Sequence, residues 1–433
     1  MRSFYTSAVR LGMALITPVA MMGATNAAPI GEPLGAARQL EVAVIKGEKL
    51  TALSGQATAD YSVMAVVDGQ LAPIPYQFDD INERGFPYVP GGKFAINGTE
   101  GVLDAQDELV FMFKDTGPQA SDEAKAAVEG TLVSELEVGD GKSTGYAYVV
   151  KGNSARSDKE YTHYDRETGV AKTDYWSLQM DPDSPLTWSD FKFKDFAEDR
   201  TILDTMKVRV RAKLGFVRAT IHNGLIPNEV LAVKNGPVRS IVEADASITI
   251  LRIPLLTAGA DFVIAPGSLQ VPVLATIPSA AAALSDLKIE ISLDFHELEG
   301  AKIRSALGPE EALVTGEKSD LASQQKVDLE SNWLTGSHDK GFDILATFYL
   351  SEGFSPGLDI LYMDDTTGDD PDKPERYKGS HPQVGYVVSD IPTGVDVDLG
   401  VNLYFADGIW EGSDPTAEIE KYLDPVSTKV TAL

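Results

Sequence analysis

Apolar residues in this chain fall into short runs broken by Gly, Pro and Asp, and nowhere do they keep a 3.6-residue period long enough to build a buried helix. The runs LEVAVI (40–45), YSVMAVV (61–67), ELVFMF (108–113) and TGYAYVVKG (144–152) are β-branched or aromatic, and Asp68-Gly69 and Asp115-Thr116-Gly117-Pro118 punctuate them. Longer runs follow at 207–221, 238–251, 286–295, 341–350 and 384–408. Such a series, without regular βα alternation or a fixed-period repeat, predicts a mainly β protein of antiparallel β-sandwich domains with minor helix. The one helical hint is partial, at 121–136, where Gly130 and β-branched residues oppose it. The turn-rich DPDSPLTWSD (181–190) suggests an N-terminal β domain over 28–175 and a larger sandwich over 176–433.

The first residues read as an address. Arg2 and Arg10 precede an uncharged apolar stretch, 11–23, and Thr25-Asn26-Ala27 offers the small residues of a cleavage site. The stretch is short for a membrane span and contains Pro18, so residues 1–27 are expected to be a signal peptide, with no transmembrane helix left after its removal. A periplasmic or extracellular bacterial location follows. The absence of cysteine excludes disulfides and thiolate chemistry, and a net charge of −28 disfavours a nucleic-acid partner.

One segment is unusually apolar. Residues 253–284 carry a single charge, Asp261, and four prolines exclude a helix. It reads either as a buried extended segment passing between sheets or as an apolar loop that docks on a partner or membrane surface.

Several constellations could carry chemistry. Arg209, Arg211 and Lys213 stand at alternate positions of an expected strand, hence on one face, with Arg218, Arg239 and Arg252 on or beside neighbouring strands. Aligned cations need negative partners, either carboxylates of the protein or an acidic glycan. The acidic loop from Asp364 and Asp365 through Asp369, Asp370 and Asp372 is either solvated or a calcium site; no other cofactor is suggested. Tyr161 and His163, within Tyr-Thr-His-Tyr-Asp, could pair as acid and base for β-elimination at a uronate, or be a strand histidine among tyrosines. Acidic residues at 79, 80, 83, 104, 107, 108 and 115 are either a carboxylate pair for glycoside hydrolysis or turn formers. No HExxH, GxSxG, Walker or GxGxxG pattern occurs.

The blocks Pro75-Tyr76-Gln77-Phe78-Asp79-Asp80, Leu103-Asp104, Asp107-Glu108-Leu109-Val110-Phe111, Lys114-Asp115-Thr116-Gly117 and Asn235-Gly236-Pro237-Val238-Arg239 resemble elements of secreted bacterial β-sandwich proteins, and related turns occur in supersandwich domains of carbohydrate-active enzymes. The resemblance implies an exported β-sandwich with a glycan connection and transfers no catalytic residue. Two functions are therefore expected: a non-catalytic envelope or surface component with a glycan or protein ligand, or alternatively a polysaccharide lyase or glycoside hydrolase acting on an acidic glycan.

Overall fold

Among the described residues the alternation of the sequence becomes five antiparallel sheets. The computed structural model describes residues 28–318, 324–351, 354–368, 376–406, 419 and 423–433, so the expected signal peptide lies outside the described residues. α-Helix is confined to Ala36–Leu40 and Asp122–Ala127 among the described residues. Ser121 caps the second, its hydroxyl accepting from the Ala124 amide at 3.2 Å. Gly130 then turns the chain into the strand Thr131–Gly139, which divides the 121–136 segment between helix and sheet.

The N-terminal layer holds two sheets. One is three-stranded, with Glu108–Met112 between Val42–Lys46 and Tyr76–Asp79. The other runs from Ser427–Ala432 through Thr131–Gly139, Ser143–Lys151 and Tyr61–Val67 to Gln70–Pro73, with Ile30–Gly31 also paired to Ser143–Lys151. Ile45, Val63, Phe111, Leu136 and Val149 fill the core between them. The last strand of the chain thus belongs with the first residues. A four-stranded meander follows: Thr162–Asp165, Val170–Thr173, Trp176–Asp181 and Ser184–Phe193. It is one continuous sheet across 175–176, where the sequence suggested a division, because hairpin pairing carries through the turn.

The large sandwich faces a six-stranded sheet, centred on Leu203–Leu214, Ser285–Phe295 and Ser380–Ser389, against a nine-stranded one. The apolar segment of the sequence supplies the hairpin Ile253–Ala265 and Ser268–Ile277 inside the nine-stranded sheet, followed in order by Val395–Ala406 and Phe342–Leu350. It is therefore a pair of inner strands, neither a docking loop nor a crossing between sheets.

The two sheets do not close completely. Between them lies a cavity of about 240 Å³ lined almost wholly by aliphatic and aromatic side chains, among them Val208, Phe262, Val273, Ile291, Phe348 and Val401. At about 24 cal/mol per Å³, a void of that size left unfilled costs on the order of 6 kcal/mol, against a typical domain stability of about 5–15 kcal/mol. The meander plugs one end: Trp176 and Phe191 pack on Phe405 at 5.1 and 5.3 Å, and Phe193 on Phe342 at 5.5 Å.

Candidate functional site

The polar face of the six-stranded sheet is sealed at Lys207 and Arg209 and opens toward solvent at Arg211 and Lys213. Lys207 and Arg209 are fully buried. Lys207 pairs with Asp294 at 2.6 Å, and Arg209 donates to Asn223 Oδ1 at 2.9 Å and to the Val208 carbonyl at 3.1 Å. Arg211 bonds Glu290 at 2.7 Å, whose other oxygen accepts from Gln383 at 2.9 Å. Lys213 pairs with Asp286. The stripe does share one face, as its spacing requires, but its charges are engaged by the protein's own groups, buried at Lys207 and Arg209 and nearer the surface at Arg211 and Lys213, rather than lining an open cleft.

Arg239 is held elsewhere. Its guanidinium donates to Asp79 at 2.7 Å and Glu108 at 2.5 Å, while Lys234 and Lys46 reach the same two carboxylates at 2.8 and 2.6 Å. Gln77 completes the clamp by accepting from the Val238 and Arg239 amides at 3.0 Å each. Arg252 stands apart, exposed in the turn before Ile253. Asp364 is buried and accepts from the amides of Thr315 and Gly316 at 2.8 and 3.1 Å. Asp365 accepts from the Thr367 hydroxyl at 2.7 Å and from the amides of Thr367 and Gly368, both at 2.9 Å, which holds its carboxyl below the usual range. Asp369, Asp370 and Asp372 lie outside the described residues. Among the described residues no three His, Asp or Glu side chains converge to hold a metal.

Tyr161 does meet chemistry. The segment entering Thr162–Asp165 is anchored by the Tyr161 amide on the Pro237 carbonyl at 2.8 Å. This points the buried phenol at Asp115, to whose two oxygens it lies at 2.6 and 2.8 Å. Asp115 ends the 3-10 turn Phe113–Asp115, closed by the Thr116 hydroxyl on the Phe113 carbonyl at 2.7 Å. Beside it, Lys114 lies over the Tyr161 ring at 4.6 Å and the Tyr175 ring at 5.2 Å, and donates to the Tyr175 hydroxyl at 3.4 Å. Tyr175 is presented by a turn in which Thr173 Oγ1 accepts from the Tyr175 and Trp176 amides at 3.1 and 3.0 Å.

Exposed lysines complete the array: Lys159 over Tyr161 at 4.1 Å and Lys194 over Tyr175 at 5.8 Å. Cations and rings thus alternate from Lys159 through Tyr161, Lys114 and Tyr175 to Lys194. Among the described residues, none of the three lysines comes within ion-pair distance of a carboxylate, in a protein with 65 acids and 37 bases. Burial pushes Lys114 below its ordinary value, against the opposing pull of Asp115 and Asp174. Burial, then the Asp115 charge, pushes the Tyr161 phenol far up and keeps it protonated. His163 faces outward on its strand, exposed and apart from this array.

The sequence blocks that carry the resemblance interlock here. Asn235 bonds both backbone groups of Tyr164, and Gln77, Asp79 and Glu108 grip Arg239 beside it. Most of the other early acids are turn formers: Asp107 accepts from the Ile81 and Asp104 amides, and Asp80 from Gly101.

Sequence reasoning passed over a second buried group. Asp261, the lone charge of the apolar segment, sits opposite Glu243 on the adjacent strand, on the outer face of the nine-stranded sheet. Neither of its oxygens has a hydrogen-bond partner, and Arg84 Nη1 stands 3.8 Å away. The strap around Arg84–Phe94 lies close: a Cβ on Gly92 would collide with the Glu243 carboxylate, and one on Gly259 with the Phe94 ring. Burial, partly offset by Arg84, pushes the Asp261 carboxyl up to about 7. A single charge within thirty-odd apolar residues was the available signal.

No family model matches the sequence, and no curated protein does. Among solved structures, an alpha-mannosidase from Enterococcus faecalis V583 aligns over 92% of this chain and 45% of its own, with 10% identity and a TM-score of 0.48. A glycosyl hydrolase family 38 protein from Enterococcus faecalis aligns over 91% and 46%, with 9% identity and a TM-score of 0.47. The alpha-N-acetylgalactosaminidase NagBb from Bifidobacterium bifidum aligns over 58% and 38%, with 11% identity and a TM-score of 0.35. The chain spans less than half the length of each of these three proteins.

Proposed function

We propose that this protein binds an acidic glycan at the lysine–tyrosine ladder, in the bacterial periplasm or at the cell surface. The observation that supports this is the contrast in cation pairing. Arg211, Lys213 and Arg239 are capped by carboxylates, whereas Lys114, Lys159 and Lys194 are held by aromatic faces with no carboxylate at ion-pair distance. Cations without a direct carboxylate partner, though within the field of Asp115 and Asp174, suit a ligand that brings its own carboxylates or sulfates. The tyrosine rings add apolar surface for sugar faces.

Lys159 and Lys194 are exposed, so K159A/K194A should leave the melting temperature unchanged. The double variant should weaken binding of a polyuronate or sulfated glycan by about thirtyfold in calorimetric titration, with each of the two lost contacts worth about 1 kcal/mol. Equal binding by both proteins, or no preference for acidic over neutral glycans, would remove the reading.

A second reading, elimination at a uronate, is favoured by the depressed Lys114 amine next to the Tyr175 hydroxyl. The neutral amine would take the proton α to the uronate carboxylate as the C4–O4 bond breaks and the C4=C5 double bond forms. Tyr175 would protonate the departing oxygen, and Lys159 or Lys194 would neutralise the carboxylate. Tyr161, donating to Asp115, would serve as a positioning group. Ultraviolet absorbance of an unsaturated product, lost in K114A, is the result this reading requires; binding without turnover leaves only the first.

A further inference from the structure

Part of the large sandwich's interior is less well covered than its outer face. On the six-stranded sheet the outward Lys207, Arg209 and Asp294 are fully buried, while of the inward residues Met206, Val208 and Phe295 are buried and Ile289, Ile291 and Leu293 only half-buried. The same holds across the gap for Val271, Val273, Leu399 and Val401. These aliphatics face accessible space rather than one another, and the cavity they line measures about 240 Å³.

Its two ends differ. At the Phe342 and Phe405 end the aromatic rings of the meander close it. At the other end the strands Phe342–Leu350 and Ser380–Ser389 finish, and the lining continues onto Leu350, Phe354, Ile391 and Pro392, which are all half-buried. From Phe342 to Leu350 the strand advances about 26 Å at roughly 3.3 Å per residue. The space is lined without a charged side chain along the length of this strand. Dry apolar cavities of only about 150 Å³ already take up benzene-sized molecules.

We propose that this cavity is a binding site for one unbranched acyl chain, inserted tail first between the sheets, with its head group outside at the end marked by Leu350 and Ile391. The site is separate from the lysine–tyrosine ladder and does not rest on the glycan reading.

Titration of the full-length mature protein with the fluorescent fatty acid cis-parinaric acid tests it. Saturable binding at one chain per protein is expected, with unlabelled fatty acids competing more strongly as their chains lengthen. Ala260 and Val273 face each other across the hairpin and both line the cavity. A260F, and separately V273F, should weaken binding by about tenfold or more and raise the melting temperature of the ligand-free protein. K114A should bind the probe normally. No saturable binding by the wild type, competition independent of chain length, or unchanged binding by a folded filled variant would each overturn the proposal. The chain-length series decides the matter even where neither filled variant folds. Competition by bulky aromatic ligands in place of acyl chains would also refute the assigned ligand class.

Discussion

Asp79 and Asp261 are both sealed from solvent, yet their environments drive them in opposite directions. Burial raises both, but at Asp79 the charges of Arg239 and Lys234 more than reverse it, whereas Asp261 has a distant Arg84 and the neighbouring Glu243 against it. A carboxyl whose folded value is raised favours the fold while protonated. The contribution of Asp261 is therefore full below its ordinary value of 3.8 and is lost as the pH climbs through about 7. Across that window the group should subtract on the order of 4 kcal/mol from stability. D261N should remove this slope, leaving the variant more stable than wild type at pH 8. Urea unfolding across the pH range measures it, and parallel profiles for the two proteins would contradict the assignment. The Asp79 clamp predicts the reverse kind of sensitivity. R239M removes the cation shared by buried Asp79 and half-buried Glu108, leaving them Lys234 and Lys46, and should cost about 2–4 kcal/mol, while the exposed R252M should stay within about 0.5 kcal/mol of wild type.

Among elements, the last strand shows how little burial a sheet edge needs. Ser427–Ala432 is mostly exposed and contributes a backbone ladder to Thr131–Gly139 rather than core. A chain ending at Val426 should lose hydrogen-exchange protection over 131–139, because those groups become an open edge, while the nine-stranded sheet keeps its own. Loss of protection throughout the molecule would show instead that the strand supports the whole fold. Strand existence was readable element by element from alternation, as in 61–67 and 286–295. Strand partners were not. The arginine stripe could be placed on one face from its spacing, but the acids opposite it, Glu290 and Asp294, come from a strand some eighty residues later. The ladder was half visible: Tyr161 and the Lys114-Asp115 block could each be singled out. Four separate segments had to be folded together before they met Tyr175 and Lys194.

At the scale of the whole molecule, the incompletely filled sandwich should respond to pressure. Unfolding removes internal voids, so the volume change should lie toward the large end of roughly −20 to −100 mL/mol, and A260F should shrink it. High-pressure fluorescence with the acyl ligand absent and present measures this directly; a volume change at the small end, unmoved by the substitution, would mean that the sheets close in solution.

Local pattern alone determined that this chain is built of antiparallel strands, where many of its turns fall, and which side chains on a strand look the same way. Those properties follow from a two-residue period and from turn chemistry, both of which act over a few neighbours. The tertiary structure decided which cations pair directly with carboxylates and which pack on rings, which aspartate is left unsatisfied, and that two apolar faces stand apart. Each of these depends on what lies across a sheet or between sheets, and electrostatic pairing and packing volume are set by partners far away along the chain.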